Sequence, residues 1–157
     1  MTIRNYNTGF KNTLQTDLRQ GLGAEKARQS GFEEYFGRLS KTAKYDSFDF
    51  TNDSFYVEHK ERNIPFGKYD SLFFDAIKFH EFQRLKTLEP HKRFVIIWTC
   101  LGKSFFWEFQ ENDEDDQGNI IYYFENKVID RRRGQGLQTQ GLCKVFNNHI
   151  KPLSDFR

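Results

Sequence analysis

Apolar and polar positions alternate most clearly between Phe48 and Lys60, where Phe48, Phe50, Phe55 and Val57 interleave with Asp49, Tyr56, Glu58 and Lys60. Two aromatic and β-branched runs flank Thr51-Asn52-Asp53-Ser54, a cluster of turn formers, and predict a β-hairpin. With Asn52-Asp53 as its tip, Phe50 faces Phe55, Phe48 faces Val57, Asp49 faces Tyr56 and Ser47 faces Glu58. Alternation then puts Phe48, Phe50, Phe55 and Val57 on one face and gathers Asp49, Glu58 and Lys60 on the other.

Elsewhere the period changes. Phe10, Leu14 and Leu18 share one helical face and predict a short amphipathic helix or arm within residues 1–20. After Gly21-Leu22-Gly23, the residues Ala24, Ala27, Phe32, Tyr35, Phe36 and Leu39 recur at helical spacing. Gly31 lies inside that pattern at a cost of about 1 kcal/mol relative to Ala, and marks an expected bend. Pro65 and Gly67 break the chain after the hairpin. Asp70-Ser71 is the expected N-cap of a second helix running to about Leu88, which Glu89-Pro90 ends. The continuous apolar run Arg93–Thr99 predicts a central strand covered on both faces. Leu101-Gly102-Lys103 turns into a partner strand, Ser104–Phe109. A solvated turn over 112–119 leads to a strand at 120–124, and Val128-Ile129-Asp130 adds a short edge strand. Gly134, Gly136 and Gly141 predict a loop, with a short terminal helix around 142–150. No internal repeat or low-complexity tract interrupts this order.

The expected fold class is therefore α/β or α+β: a mixed sheet with two principal helices, in a single domain over 1–157. Within it, 1–20 would be an arm, about 21–130 the core, and 131–157 a basic extension. At 157 residues the chain is long enough to bury a real core, and 18 phenylalanines make that core aromatic. The formal net charge of +2 does not by itself announce a nucleic-acid binder. Its distribution is uneven, with Asn112-Asp113-Glu114-Asp115-Asp116 acidic and Arg131-Arg132-Arg133 basic. Cys100 and Cys143 have no metal-ligand spacing and fit free thiols of a reducing compartment. Met1–Asn5 lacks the apolar core of a signal peptide, and no apolar run approaches a membrane span. A soluble intracellular protein with no membrane partner is the expectation.

The chemistry lies in the hairpin. Asp49 and Glu58 sit diagonally across it, with backbones about 7–8 Å apart, and their carboxylates could converge on a divalent ion bound through oxygen. Lys60 projects from the same face one step along, placed to orient a water or to neutralise charge on a phosphate oxygen. Each assignment has a plainer alternative. Asp46 competes with Asp49, because a one-residue slip would exchange their faces. Glu25 leans toward the apolar side of its helix, yet it also suits a helix first turn. Lys60, with Glu61 and Arg62, could be a solvated strand end. Lys78 could reach a phosphate or simply snorkel to solvent, and Gln83 is a similar case. Arg131, Arg132 and Arg133 suit phosphate contact or a solvated edge. The His59 ring alternates to the apolar side, and His80, His91 and His149 lack partners at zinc spacing. There is no phosphate loop, no Gly-x-Ser-x-Gly, no His-Glu-x-x-His and no Cys-His pairing.

Asp49, then Glu58-His59-Lys60 on the next strand, after a helix carrying Glu25, resembles the PD-(D/E)xK nuclease superfamily. The stretch Y-D-S-F-D-F followed by F-Y-V-E-H-K-E-R is similar to small nucleases of this type from large DNA viruses and phages. The order helix–hairpin–helix–strand over about Gly21–Phe109 matches the family core. One departure is Phe48, which stands where the pattern has a proline. The resemblance implies a restriction-endonuclease-like fold with an αβββαβ-type core, and a deoxyribonuclease, in the main an endonuclease, that uses Mg²⁺ (or Mn²⁺) on DNA. It implies Asp49, Glu58 and the His59 backbone carbonyl as metal ligands, Lys60 as catalytic lysine, and Glu25 as the acid of the first helix. A homodimer fits the way such nucleases cut two strands. A nuclease-like fold kept as a binding or structural module is the alternative.

Overall fold

The structure is a computed structural model that describes residues 26–43, 46–131 and 136–157, excepting the side chains of 129–131 and 136–138. Met1–Leu39 and Ser40–Arg157 form two compact units, and each is described by itself. The expected amphipathic helix at 10–18 lies outside the described residues.

In the first unit, helix α1 covers 26–36 and continues through Gly31. Gly37 ends it in the left-handed conformation (φ 80°), its N–H donating to Glu33 O over 3.0 Å. The Glu33 carboxylate then accepts the N–H of Leu39 (2.8 Å), which turns the chain out of the helix.

The second unit is mixed α+β. Its elements are β1 (Ser40–Lys41), β2 (Phe50–Thr51), β3 (Phe55–Arg62), β4 (Ser71–Asp75), α2 (Ala76–Leu88), β5 (Arg93–Cys100), β6 (Lys103–Glu108), β7 (Tyr122–Arg131), β8 (Gly136–Phe146) and β9 (Lys151–Pro152). A six-stranded sheet has the order β1-β2-β3-β5-β6-β9, and a three-stranded sheet the order β4-β8-β7. The strands of the first sheet pair antiparallel except β3 and β5, which run parallel. A parallel pair needs a long crossover, and the segment carrying α2 supplies it.

β5 is the expected central strand. Seven of its eight residues, Phe94–Cys100, are buried. Phe94, Ile96 and Trp98 point to the α2 side, where they join Phe79, Phe82, Trp107 and Phe109 in the main core. Val95, Ile97 and Thr99 are buried on the opposite face, with Val57. Rings in the main core meet edge to face, as Phe82 does on Phe94 (5.2 Å) and Phe48 on Phe109 (5.6 Å). The Trp98 indole donates to Phe73 O (3.0 Å) and ties the two sheets together.

Three expectations are corrected. The second helix begins at Ala76, because Ser71–Asp75 alternates, burying Leu72 and Phe74, and pairs as β4 with β8. The segment 136–146, read as a loop and terminal helix, is the eleven-residue strand β8, held between β4 and β7. Val128–Asp130 is not a separate edge strand but the continuation of β7, paired with Leu137–Thr139.

Candidate active site

The site is built on the hairpin of β2 and β3. Asn52 closes its turn: the side-chain oxygen accepts the N–H groups of Ser54 (2.9 Å) and Phe55 (2.8 Å), and its own N–H donates to Phe55 O (3.0 Å). The tip is therefore Asp53-Ser54, one residue later than expected. Phe50 pairs with Val57 and Thr51 with Tyr56, so every partner moves by two. A slip of two keeps alternation intact, and Glu58 and Lys60 stay on one face of β3.

β2 is only two residues long, and 46–49 form a series of bends. Thr42 causes this: its N–H donates to Asp49 O (3.0 Å) and its hydroxyl to the carbonyls of Phe48 and Asp49. Phe48 consequently leaves the expected Phe50–Val57 face. It packs instead against Tyr56 (5.6 Å) and Phe94 (5.5 Å) in the main core. Asp49 Oδ2 accepts the N–H of His59 (2.9 Å), at the point where β2 has stopped supplying backbone acceptors. The competitor Asp46 is exposed, and its carboxylate accepts the N–H of Ala43 (3.0 Å).

Glu58 is 1% exposed. Its Oε2 lies 2.9 Å from Lys78 Nζ and 4.0 Å from Lys60 Nζ, and no donor is aligned on it for a hydrogen bond. Burial, then the hydrogen bond and negative charge of Asp49, push the Glu58 carboxyl up to about 8, and Lys78 opposes the rise. Glu58 therefore keeps its proton to about neutral pH. Lys78 comes from the first turns of α2 and also donates to Ser47 O. One turn further on, the Glu81 carboxylate pairs with Arg84 (2.7 Å) and is held below its usual range, chiefly by that contact.

The structure thus brings together Asp49, Glu58, Lys60 and Lys78. The His59 ring lies on the other face of β3, with Nε2 2.8 Å from Thr99 Oγ1, and its main chain reaches the site through the N–H. Glu25, Tyr45, Arg132 and Arg133 lie outside the described residues, and Arg131 is described only as the end of β7. Gln83 is exposed, and the His80 ring stacks on Phe124 (6.3 Å). The Ser47 carbonyl and Glu81 were missed in the sequence. Glu81 was legible as the residue three beyond Lys78 on one helical face; a backbone carbonyl leaves no such signal.

Among the described residues, no group of three or more His, Cys, Asp or Glu side chains could hold a metal. The oxygens that could face a cation are the carboxylates of Asp49 and Glu58, since the Ser47 carbonyl already accepts from Lys78. That set fits a hard divalent ion completed by water, since Glu58 Oε2 is buried without an aligned donor. It does not suit zinc, whose sites are built mainly on His and Cys with carboxylate oxygen as a minority ligand. No protein-family model, curated protein or solved structure matches the chain.

Proposed function

We propose that this protein is a divalent-metal-dependent nuclease that hydrolyses phosphodiester bonds of DNA, with Asp49, Glu58 and Lys60 at its centre. The observation that carries the reading is the buried Glu58 carboxyl, with Lys78 and Lys60 at 2.9 and 4.0 Å and the half-buried Asp49 interacting with it. A carboxyl buried next to a second one is uncommon in a purely structural role, because each charge raises the cost of the other. The topology adds support: β1, β2 and β3 are antiparallel, and α2 crosses to a strand parallel to β3, as in an αβββαβ-type core.

Asp49 and Glu58 would hold Mg²⁺ or Mn²⁺, and the ion would supply Lewis-acid polarisation of the phosphate and a bound water of lowered pKa. Lys60, 29% exposed at its side chain, reaches from the buried carboxylates to solvent. There its ammonium orients the attacking water and offsets charge growing on the phosphoryl oxygens. Lys78 keeps Glu58 and Ser47 O in place from the helix side. The His59 N–H fixes Asp49 Oδ2 and with it the orientation of the carboxylate that would hold the ion.

Plasmid DNA incubated with Mg²⁺ or Mn²⁺ tests this. Nicking is expected with the wild type and should fall at least about a hundredfold in Glu58→Gln, Asp49→Asn and Lys60→Ala. Nicking that survives all three overturns the assignment. Titration of Mn²⁺ by calorimetry gives a second readout, with binding expected in the wild type and lost in Glu58→Gln. A second reading, a non-catalytic nucleic-acid-binding or structural module, is favoured by the Lys78 ammonium, which already balances Glu58 without a metal. DNA binding with neither cleavage nor Mn²⁺ binding would select it.

A further inference from the structure

Beside the carboxylate site, β3 ends in Arg62, two residues beyond Lys60 on the same face and so roughly 6.6 Å along the strand. Arg62 is half-buried, yet among the described residues it makes no ion pair. Its Nη atoms reach only the carbonyls of Glu61 and Phe73, both at 3.3 Å, and its Nε is buried without a partner. Asp75 acts on Arg62 only through space, not in contact, so the guanidinium has no direct anionic partner and is free to bind one.

Arg62 forms one wall of a cavity of about 390 Å³, within the range that holds a small ligand. Lys127 and Lys144 line another wall, and Lys144 is already paired with Glu125 at 2.7 Å. One carboxylate, Asp70, also lines the cavity, against three cations. The remainder is apolar except for Ser71: Leu72 and Leu142 are buried behind it, while Tyr69 and Phe73 are 58% and 36% exposed. The Arg62 guanidinium sits 5.0 Å from the Phe73 ring centre. An anion-binding wall joined to exposed aromatic rings is what a nucleotide requires: charge for its phosphate and a flat apolar face for its base.

We infer that this cavity binds one unpaired nucleotide of a DNA strand, next to the phosphate held at Asp49, Glu58 and Lys60. The inference rests on the nuclease reading only for the position of that phosphate. A base in a duplex is stacked and paired, and cannot enter a walled cavity unless it is extruded. The preferred substrate is therefore single-stranded or splayed DNA, with continuous duplex bound more weakly.

Fluorescence anisotropy in EDTA tests this with a short labelled oligothymidylate and a blunt duplex of equal phosphate count. The wild type should prefer the single strand by about tenfold. Tyr69→Ala and Lys127→Ala, both at exposed positions, should each weaken oligothymidylate binding by about five- to tenfold and leave duplex binding unchanged. Arg62→Gln should do the same more strongly; if it misfolds, the two exposed variants decide. Wild-type affinity in both exposed variants, or a preference for duplex, overturns the inference. Single-strand binding that depends on Tyr69 without any plasmid cleavage upholds the cavity and removes the nuclease reading. Cleavage with binding insensitive to Tyr69 and Lys127 removes the cavity alone.

Discussion

Glu58 sets the electrostatics of the site. Its carboxyl is held up to about 8 in the folded protein by burial and by Asp49, against an ordinary 4.5 in the unfolded chain. Between those values the native state binds a proton that the unfolded state has released, so stability falls as pH rises. The metal-free wild type should lose about 2–5 kcal/mol between pH 5 and pH 9, most of it below pH 8. Glu58→Gln, which cannot ionise, should show a nearly flat profile over the same range and be the more stable protein at pH 9. Urea midpoints at each pH measure both; parallel profiles would show that Glu58 titrates normally. Lys78 acts in the opposite sense. With Nζ 2.9 Å from Glu58 Oε2 and its side chain 18% exposed, Lys78→Met strips a buried carboxylate of its nearest cation. A loss of about 2–4 kcal/mol is expected at pH 9, shrinking at pH 5 where Glu58 is protonated. The double variant Glu58→Gln/Lys78→Met should recover most of that loss in the same urea series.

At the scale of elements, the tight turn between β5 and β6 carries a visible strain. Cys100 pairs with Lys103, leaving Leu101 and Gly102 as the two turn residues, at φ 48° and 84°. Glycine takes that conformation freely, whereas an L-residue with a branched side chain does so at a cost of roughly 1–2 kcal/mol. Leu101 is 58% exposed, so its side chain offsets little of it. Leu101→Asn should raise stability by about 1 kcal/mol, or roughly 2–4 °C in a thermal melt, with the site unaffected. An unchanged or lowered midpoint would show that Leu101 makes contacts worth as much as the strain. The turn was legible from Gly102, and β5 from its unbroken apolar run. The face of β3 that carries Glu58 and Lys60 was legible because alternation survives a two-residue error in register. Three elements were not. Ser71–Asp75 shares its apolar residues with the helix that follows, and five residues are too few to separate period 2 from period 3.6. β8 reads as a loop because Gln138-Thr139-Gln140-Gly141 has no apolar face; pairing with β7 makes this part a strand, and β4 joins from Leu142 onward. Phe48 was misplaced because its position depends on Thr42, ten sequence positions from Asn52, and alternation carries no information about such a clasp.

Across the whole unit, the site depends on an aromatic core that contains none of its chemistry. Phe48 stands between Ser47, whose carbonyl Lys78 holds, and Asp49, whose carboxylate accepts the N–H of His59 next to Glu58. Its ring is 1% exposed and lies against Tyr56, Phe94 and Phe109. Phe109 in turn touches Phe74 (5.1 Å), Phe79 (6.4 Å), Phe82 (5.4 Å) and Trp107 (5.3 Å), so one ring links α2, both sheets and the bends that carry Asp49. Removing it opens a cavity that rigid neighbours on several elements cannot all fill. Phe109→Ala should cost about 3–5 kcal/mol by urea unfolding. Below its unfolding midpoint it should also weaken Mn²⁺ binding, because Phe48 can then shift and carry Asp49 away from Glu58. Leu88→Ala is the matching control: the residue is 66% exposed at the end of α2, and its loss should change neither quantity measurably. If Phe109→Ala lost stability yet bound Mn²⁺ as the wild type does, the carboxylate pair would be held by Thr42 and the His59 N–H alone, and the core would serve only to keep the chain folded.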